Sequence, residues 1–481
     1  MTTNQCVLMW FGRDLRLDDN PALHAAVATG LPVIPVFLWS PEEDSPPPGA
    51  ASRWWLHQSL LRLDASLRAK GSRLVIRRGP VAETIITLAA ECCAHRVFHN
   101  QVYEPSGLAR ESLLHSRLQS QGIGLEIFNG SLLFDPGSIR TTTGSSFQVF
   151  TPFWNALWKR RGELRSPVKA PRVLRSPPRW PQSLRVADLV LEPQVDWAAG
   201  IRAAWTPGEE SARLRLRSFA RTSVSRYGAD RDRTDHDGTS RVSPHLHFGE
   251  ISPIQVWHAV GETQGSEAYL RQLGWREFAH HLLCEYPKSL TKPFNPQFRD
   301  FPWLSNARRL KAWQQGRTGY PFVDAAMRQL WTTGWMHNRA RLVAASYLVK
   351  DLLIPWQQGA AWFLDTLVDA DLADNTMGWQ WVAGCGVDAA PYFRIFNPVL
   401  QGEKFDPNGD YVRRWVPQLR GVASDWIHKP WAAPPALLAA AGVHLGKTYP
   451  LPLVDHASAR AAALSALAEM QSKQRGRRVS R

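Results

Sequence analysis

The sequence predicts a parallel α/β domain, then a long connector, then an all-helical domain. Three observations predict it. Short apolar runs alternate with amphipathic stretches over the first 130 residues. Prolines interleaved with arginine and lysine crowd residues 131–205. From about Glu209 the strand signal vanishes and helical periodicity takes over. The predicted boundaries are 1–130 for the α/β domain, 131–205 for the connector, 206–470 for the helical domain and 471–481 for a basic tail.

In chain order, residues 6–11 (CVLMWF) read as a strand, 21–29 as a helix and 33–39 as a strand. Ser52 is a suitable N-cap for a long helix to about Ala69, with Trp55, Leu56, Ser59, Leu60, Leu63 and Leu67 near one face. Residues 73–76, 97–99 and 125–128 read as further strands, separated by helical patterns at 81–93 and 109–121. Such alternation gives a parallel sheet covered on both faces. No G-x-G-x-x-G follows the first strand, so this domain lacks the usual dinucleotide fingerprint. Pro167, Pro171, Pro177, Pro178, Pro181 and Pro193 make the connector read as a strap over the surface. Helical patterns follow at 211–226, 253–260, 266–283, 320–333, 338–353 and 358–369. Five of the last ten residues are Arg or Lys, and this end is expected to fray.

Composition narrows the function. With 44% apolar and 21% charged residues, the chain has the usage of a globular protein, not of a disordered one. Its five cysteines form no C-x-x-C pair, which argues against a disulfide framework or a cysteine zinc site and for a reducing compartment. No apolar run reaches the roughly 18 residues of a membrane span. The start has no basic n-region before a long apolar stretch, so a cytoplasmic, membrane-free protein is expected, nucleoid-associated in a bacterium. No coiled-coil heptads are visible, and a monomer is expected. Lys and Arg outnumber Asp and Glu 57 to 42, a net +15 that suits a polyanionic partner. Twenty-two tryptophans exceed what a core of this size needs.

Four clusters in the helical half carry chemistry. D-G-T-S-R-V-S at 237–243 offers close backbone approach, hydroxyls and Arg241, which suits a phosphate; a helix-capping turn is the plainer reading. In G-W-M-H-N-R-A-R at 334–341, Asn338 and Arg341 share a helix face. In D-A-D-L-A-D-N-T-M-G-W-Q-W at 369–381, Asp369, Asp371 and Asn375 can face a common ligand, or the acids can form an ordinary interhelical ion pair. Trp303, Trp313, Trp335, Trp356, Trp379 and Trp381 are either packing anchors or surfaces for stacking a planar ring.

These clusters, together with G-W-R-E-F, W-Q-Q-G-R-T-G-Y-P, A-P-Y-F-R-I-F-N-P, G-E-K-F-D and the opening W-F-G-R-D-L-R-L-D-D-N-P-A-L, resemble the photolyase/cryptochrome family over nearly the whole chain. The resemblance implies an N-terminal antenna domain and a C-terminal domain that binds FAD. Carried over position by position, Tyr227, Thr239, Ser240, Arg241, Val242 and Ser243 would hold the FAD phosphates and neighbouring groups. Gln272, Arg276 and Asn338 would line the site; Arg341 and Asp369 would pair beside the flavin ring; Ala370 and Asp371 would contact its edge. Asn375 falls at the position facing flavin N5, where DNA-repairing members carry a neutral amide and plant cryptochromes carry Asp.

The resemblance also implies a substrate: UV-damaged DNA. Trp275 and Trp381 match the aromatic walls of a lesion pocket, and Arg394, Gln401 and Lys404 would bind phosphates around it. Asn338 occupies the place of the proton-donating His of (6–4) photolyases, as in cyclobutane dimer photolyases. The implied reaction is repair of a flipped cyclobutane pyrimidine dimer by an electron from excited reduced FAD, with no net redox change and no metal. Trp303, Trp356 and Trp379 match the family's electron-transfer chain. The alternatives are a cryptochrome-type blue-light photoreceptor, usually marked by a long C-terminal extension, and a (6–4) photolyase. Gln272 stands where many bacterial cyclobutane dimer enzymes have Glu, which points to a branch close to plant cryptochromes. For the antenna, Asn100 and Glu104 match folate ligands, although Ser106 and Gly107 replace the Asn and Glu of folate-binding relatives. Methenyltetrahydrofolate is the expected antenna, ahead of a deazaflavin.

Overall fold

The computed structural model describes residues 5–388 and 393–479, with side chains through 473. Five parallel strands form one sheet in the order β3-β2-β1-β4-β5: β1 Cys6–Phe11, β2 Val33–Trp39, β3 Val75–Arg78, β4 Ala94–Asn100 and β5 Gly124–Phe128. Of the three inner strands, β1 and β2 are buried at every position, so their sequences are unbroken apolar runs. The register Leu8↔Ile34 and Trp10↔Val36 stacks these side chains into one core with Val75, Ile85, Leu88, Val97 and Leu114. Helices α1 Pro21–Ala28, α2 Ala50–Arg68, α3 Val81–Cys92 and α4 Pro105–Gln119 connect the strands. Asn20 caps α1 by accepting from Leu23 N (3.0 Å).

Several elements differ from their sequence reading. α2 begins at Ala50 behind Gly49, and Ser52 is not its N-cap; its buried hydroxyl lies inside the first turn. β3 lies two residues later than predicted, because pairing to Val36–Trp39 sets its register. The stretch 131–205 is not wholly a surface strap. It contains helix α5 Phe150–Lys159, whose Phe150, Phe153, Trp154 and Leu157 are buried. The predicted helix 338–353 is α-helical only over Asn338–Ser346 and then widens into a buried π turn, Tyr347–Asp351. The basic end continues the helix His456–Val479 through the described residues.

By contact density the chain forms two compact units. The first is Met1–Gly228 with Ser240–Pro287 and Val368–Ala373; the second is Ala229–Thr239 with Lys288–Leu367 and Asp374–Arg481. The first unit therefore holds both the sheet and part of the helical half. Among the described residues, no helix is long and apolar enough to cross a membrane.

The strand order reverses between β1 and β4, the crevice where doubly wound sheets usually bind ligands. Here that crevice is filled from within. Asn100 Nδ2 donates to Asp14 (2.6 Å) and to Asn20 (2.7 Å), and Asn100 Oδ1 accepts from Ala22 N (3.3 Å). Gly130 abuts this network, since a Cβ there would lie 2.6 Å from Asn100.

Glu277, on the helix Ser266–Glu285, anchors the start of the connector. Its Oε2 accepts from Leu133 N (2.9 Å) and Phe134 N (3.3 Å). Burial raises its pKa to about 7, partly offset by Arg276 and those two amides. An unfolded glutamate titrates near about 4.3, so the folded state keeps a proton that the unfolded chain loses. The stabilising contribution is full below pH ~4.3 and is lost as pH rises through ~7, by up to about 4 kcal/mol. Glu277→Gln keeps the acceptor and removes the titration. We expect it to be more stable than wild type by about 1–3 kcal/mol at pH 8 and no more stable at pH 4, measured by denaturant unfolding. A variant with unchanged pH dependence would contradict this.

Candidate functional site

Residues from both units match the predicted site, and each unit is described separately. In the first, the turn after Thr239 is shaped by a left-handed Arg241 (φ 51°), a conformation that non-glycine residues seldom adopt. Ser240 is buried and its hydroxyl accepts from Tyr269 OH (2.9 Å). Tyr269 itself packs edge-on against Tyr227 (5.1 Å between centroids), which fixes that ring too. Ser243 opens the short helix Ser243–His247 and donates to Asp369 Oδ2 (2.7 Å). Thus the 237–243 motif and the 369–381 motif, more than 120 residues apart, meet through one hydroxyl–carboxylate bond.

Asp369, Ala370 and Asp371 are all buried, and Asp371 N donates back to Asp369 O (2.8 Å). Such carboxylates need partners. His280 Nε2 stands 3.5 Å from Asp371 Oδ2, and its other nitrogen lies 3.1 Å from Arg276 O. Arg276 Nη1 donates to Ser131 O (2.7 Å). His247 is buried with no hydrogen-bond partner at Nδ1, and burial, with Arg13 also opposing protonation, lowers its pKa to about 3. It is neutral at physiological pH. Arg13, on the loop after β1, pairs with buried Glu104, and Asp371 lies within electrostatic reach of both.

Trp275 stacks face to face on Phe150, with centroids 3.6 Å apart at 9°. Gly274 precedes it because Trp154 fills the space that a Cβ would need. The guanidinium of Arg271, one turn earlier, sits 5.1 Å from the Phe150 centroid. Helix α5 therefore braces one face of a predicted lesion wall. Gln272 Nε2 is held by Ala268 O (3.2 Å).

In the second unit, Thr239 is half-buried. His337 caps the helix Asn338–Ser346 by accepting from Arg339 N (3.1 Å), which leaves Asn338 exposed at its first position. Arg341 Nε donates to Met336 O (2.8 Å). Asn375 Nδ2 donates to Ala360 O (3.2 Å), which turns its carbonyl oxygen away from that group. Trp379 packs against Phe363 (4.9 Å) and Trp313 (6.2 Å). Trp356 is buried as well, whereas Trp303 is only partly covered. Trp381 Nε1 donates to Asp388 O (3.1 Å). Lys404 is exposed and Gln401 lies one turn before it on the helix Pro398–Phe405; Gln401 Oε1 is buried without a hydrogen-bond partner. Arg394 is exposed, with its guanidinium 5.6 Å from the Phe396 centroid. Of the A-P-Y-F-R-I-F-N-P stretch, Ala390, Pro391 and Tyr392 lie outside the described residues.

Asn100 and Glu104, matched to folate ligands, have internal partners in Asp14, Asn20 and Arg13. A ligand held by those two side chains would have to displace these bonds. A side chain at Gly107 would meet Val102 O at 2.7 Å, so the Glu of folate-binding relatives does not fit without backbone movement. Sequence reasoning missed Tyr269, His280, His247, Phe150 and the Arg13–Glu104 pair. Only the aromatic run F-T-P-F-W at 150–154 gave a readable signal for Phe150.

The fold thus combines a parallel α/β sheet with helices, buried acids beside a hydroxyl-rich turn, and a set of largely buried indoles. The DNA photolyase profile matches residues 7–172, and the FAD binding domain of DNA photolyase matches residues 269–469. A deoxyribodipyrimidine photo-lyase of Agrobacterium fabrum is 46% identical over 475 residues, covering 97% of this chain and 98% of the relative. Cryptochrome-1 of Arabidopsis thaliana is 40% identical over 97% of this chain and 70% of its own length. The crystal structure of a bacterial class III photolyase from Agrobacterium tumefaciens superposes with a TM-score of 0.94 at 45% identity, covering 98% of this chain and 99% of that one. The chain belongs to the photolyase/cryptochrome family.

Gly359 lies under Trp379: a Cβ there would penetrate the Trp379 ring and lie 2.6 Å from Leu348 Cδ2. Helix propensity alone would make Gly359→Ala stabilising by about 1 kcal/mol. Overpacking opposes it by about 1–3 kcal/mol or more and should win. Denaturant unfolding should therefore show a destabilised variant; a stabilised one would mean that Trp379 is not seated on that helix.

Proposed function

We propose that this chain is a deoxyribodipyrimidine photo-lyase that binds FAD and repairs cyclobutane pyrimidine dimers in UV-damaged DNA under blue light. The donor set suits the cofactor. Ser240, Arg241 and Ser243 offer hydroxyls and a cation to a diphosphate. Asp371, Asn375 and the orphaned nitrogen of neutral His247 offer polar contacts suited to a flavin ring. Tyr227, Thr239, Gln272, Arg276, Arg341 and Asp369 are the further residues assigned to it. When bound and reduced, FAD supplies a light-excited one-electron donor.

The single observation that carries the reading is the orientation of Asn375. One of its two amide N–H groups donates to Ala360 O, which turns the nitrogen end toward that carbonyl and the oxygen end away from it, and an amide cannot release a proton at neutral pH. That environment favours a repair enzyme over a photoreceptor that needs a carboxylic acid there. The protein's other tasks follow from its residues. Arg394 and Lys404 attract the phosphates, a contribution that falls with salt. Gln401 orients the strand. Trp275, backed by Phe150, and Trp381 receive the flipped bases by stacking, worth roughly 1–3 kcal/mol per base. Asn338, uncharged and exposed, fits a cyclobutane dimer better than a (6–4) product, which needs a proton donor. Trp379, Trp356 and Trp303 form the electron-transfer chain. The proposed catalytic region is 206–470, and 131–205, with its buried helix α5, leads into it.

The test is direct. Reduced, purified protein is mixed with a thymine-dimer oligonucleotide, and restored thymines are measured by chromatography. Repair should require blue light and fall as salt rises. Binding without repair, or repair of the (6–4) product instead, would overturn the proposal.

A further inference from the structure

Within the second unit, a cleft of about 340 Å³ opens beside Trp303. That is the low end of small-ligand sites. Trp303, Trp356, Phe298 and Pro293 form its apolar walls, while Lys292, Arg299, Thr291 and Gln357 make its polar lining. No carboxylate lines it. Lys292 and Arg299 are exposed, and neither forms an ion pair among the described residues.

The cleft is pre-organised by the W-Q-W sequence itself. The buried amide of Gln380 donates to Ser289 O (2.6 Å) and Lys292 O (3.0 Å) and accepts from Phe294 N (2.8 Å). Gln357 Nε2 reaches Thr291 O (3.3 Å), and Leu304 N is held by Leu353 O (2.8 Å). A rigid floor, flat indole walls and two unpaired cations recognise a small, flat anion: the ring lies along the indole while the cations neutralise the charge.

We propose that this cleft binds a small planar anionic reductant of the enediol class and delivers its electron to Trp303. This rests on the tryptophan-chain reading above, in which Trp303 is the outermost member. The step balances as a one-electron transfer. An oxidised Trp303 indole radical cation takes one electron and returns to the neutral indole. The enediol monoanion becomes its radical anion and releases one proton to water. No covalent bond forms between the two.

Ascorbate is the probe, titrated in the dark into the flavin-loaded protein by calorimetry. Saturable binding is expected, weakened about tenfold by Lys292→Glu with Arg299→Glu and weakened also by salt. Both side chains are exposed, and unchanged flavin absorbance confirms the variant's fold; Lys292→Gln and Arg299→Gln singly serve if the double variant fails to fold. Under light, flavin photoreduction by ascorbate should saturate, with the half-saturating concentration shifted in the variant and the maximum unchanged. Neutral dithiothreitol should give a linear dependence that is unaffected by the variant. Absent or non-saturable ascorbate binding, or equal binding by the variant, overturns the site. Shifted binding with unshifted photoreduction overturns electron delivery. Dark binding is independent of dimer repair by chemically pre-reduced enzyme, so loss of repair alone would strike the proposed function and not this cleft.

Discussion

The burial of the carboxylates at Asp369 and Asp371 is the constraint on which the first unit's site depends. Two acids on one short segment cannot be taken from water without partners. Ser243 supplies a hydroxyl to one and His280 stands beside the other. Around them, Arg13, Glu104, His247 and Arg276 form a polar cluster drawn from the loop after β1, the start of α4 and the helical half. Leaving a buried carboxylate without such a hydrogen bond typically costs about 1–3 kcal/mol. The same bonds therefore hold the fold and set the site.

Packing plays the corresponding role in the second unit. Trp379 lies on a helix that can approach only because residue 359 is glycine. Gln380, its neighbour, fixes the loop at 289–294 by three hydrogen bonds, and Asn375 is oriented by the carbonyl of Ala360. One stretch of the 369–381 motif thus does three things: it buries acids, seats an indole and aims an amide.

Much of this was legible in the sequence, and the failures have physical causes. β1 and β2 lie where their apolar runs put them, because an inner parallel strand is buried on both faces. The edge strand β3 is half-exposed, so its boundaries depend on pairing that no local pattern records. Helix α5 hid among prolines and aromatics whose periodicity is short. The π turn Tyr347–Asp351 interrupts a pattern that reads as one continuous helix. The motifs themselves stood out, since hydroxyls, acids and indoles cluster in sequence. Their braces did not: Tyr269, His280 and Phe150 come from elements whose spacing says only that they are buried. Asn100 matches a ligand position by resemblance alone, and no local pattern records that its side chain ties β4 to Asp14 and Asn20.

The central claim is that these buried acids and oriented amides exist to hold a flavin. Freshly purified protein, denatured and analysed by absorbance and chromatography, tests it most directly. The account predicts about one FAD per chain in the wild type, or uptake to that level on reconstitution, and a marked loss in Asp369→Ala. Colourless wild-type protein that takes up no flavin would contradict it.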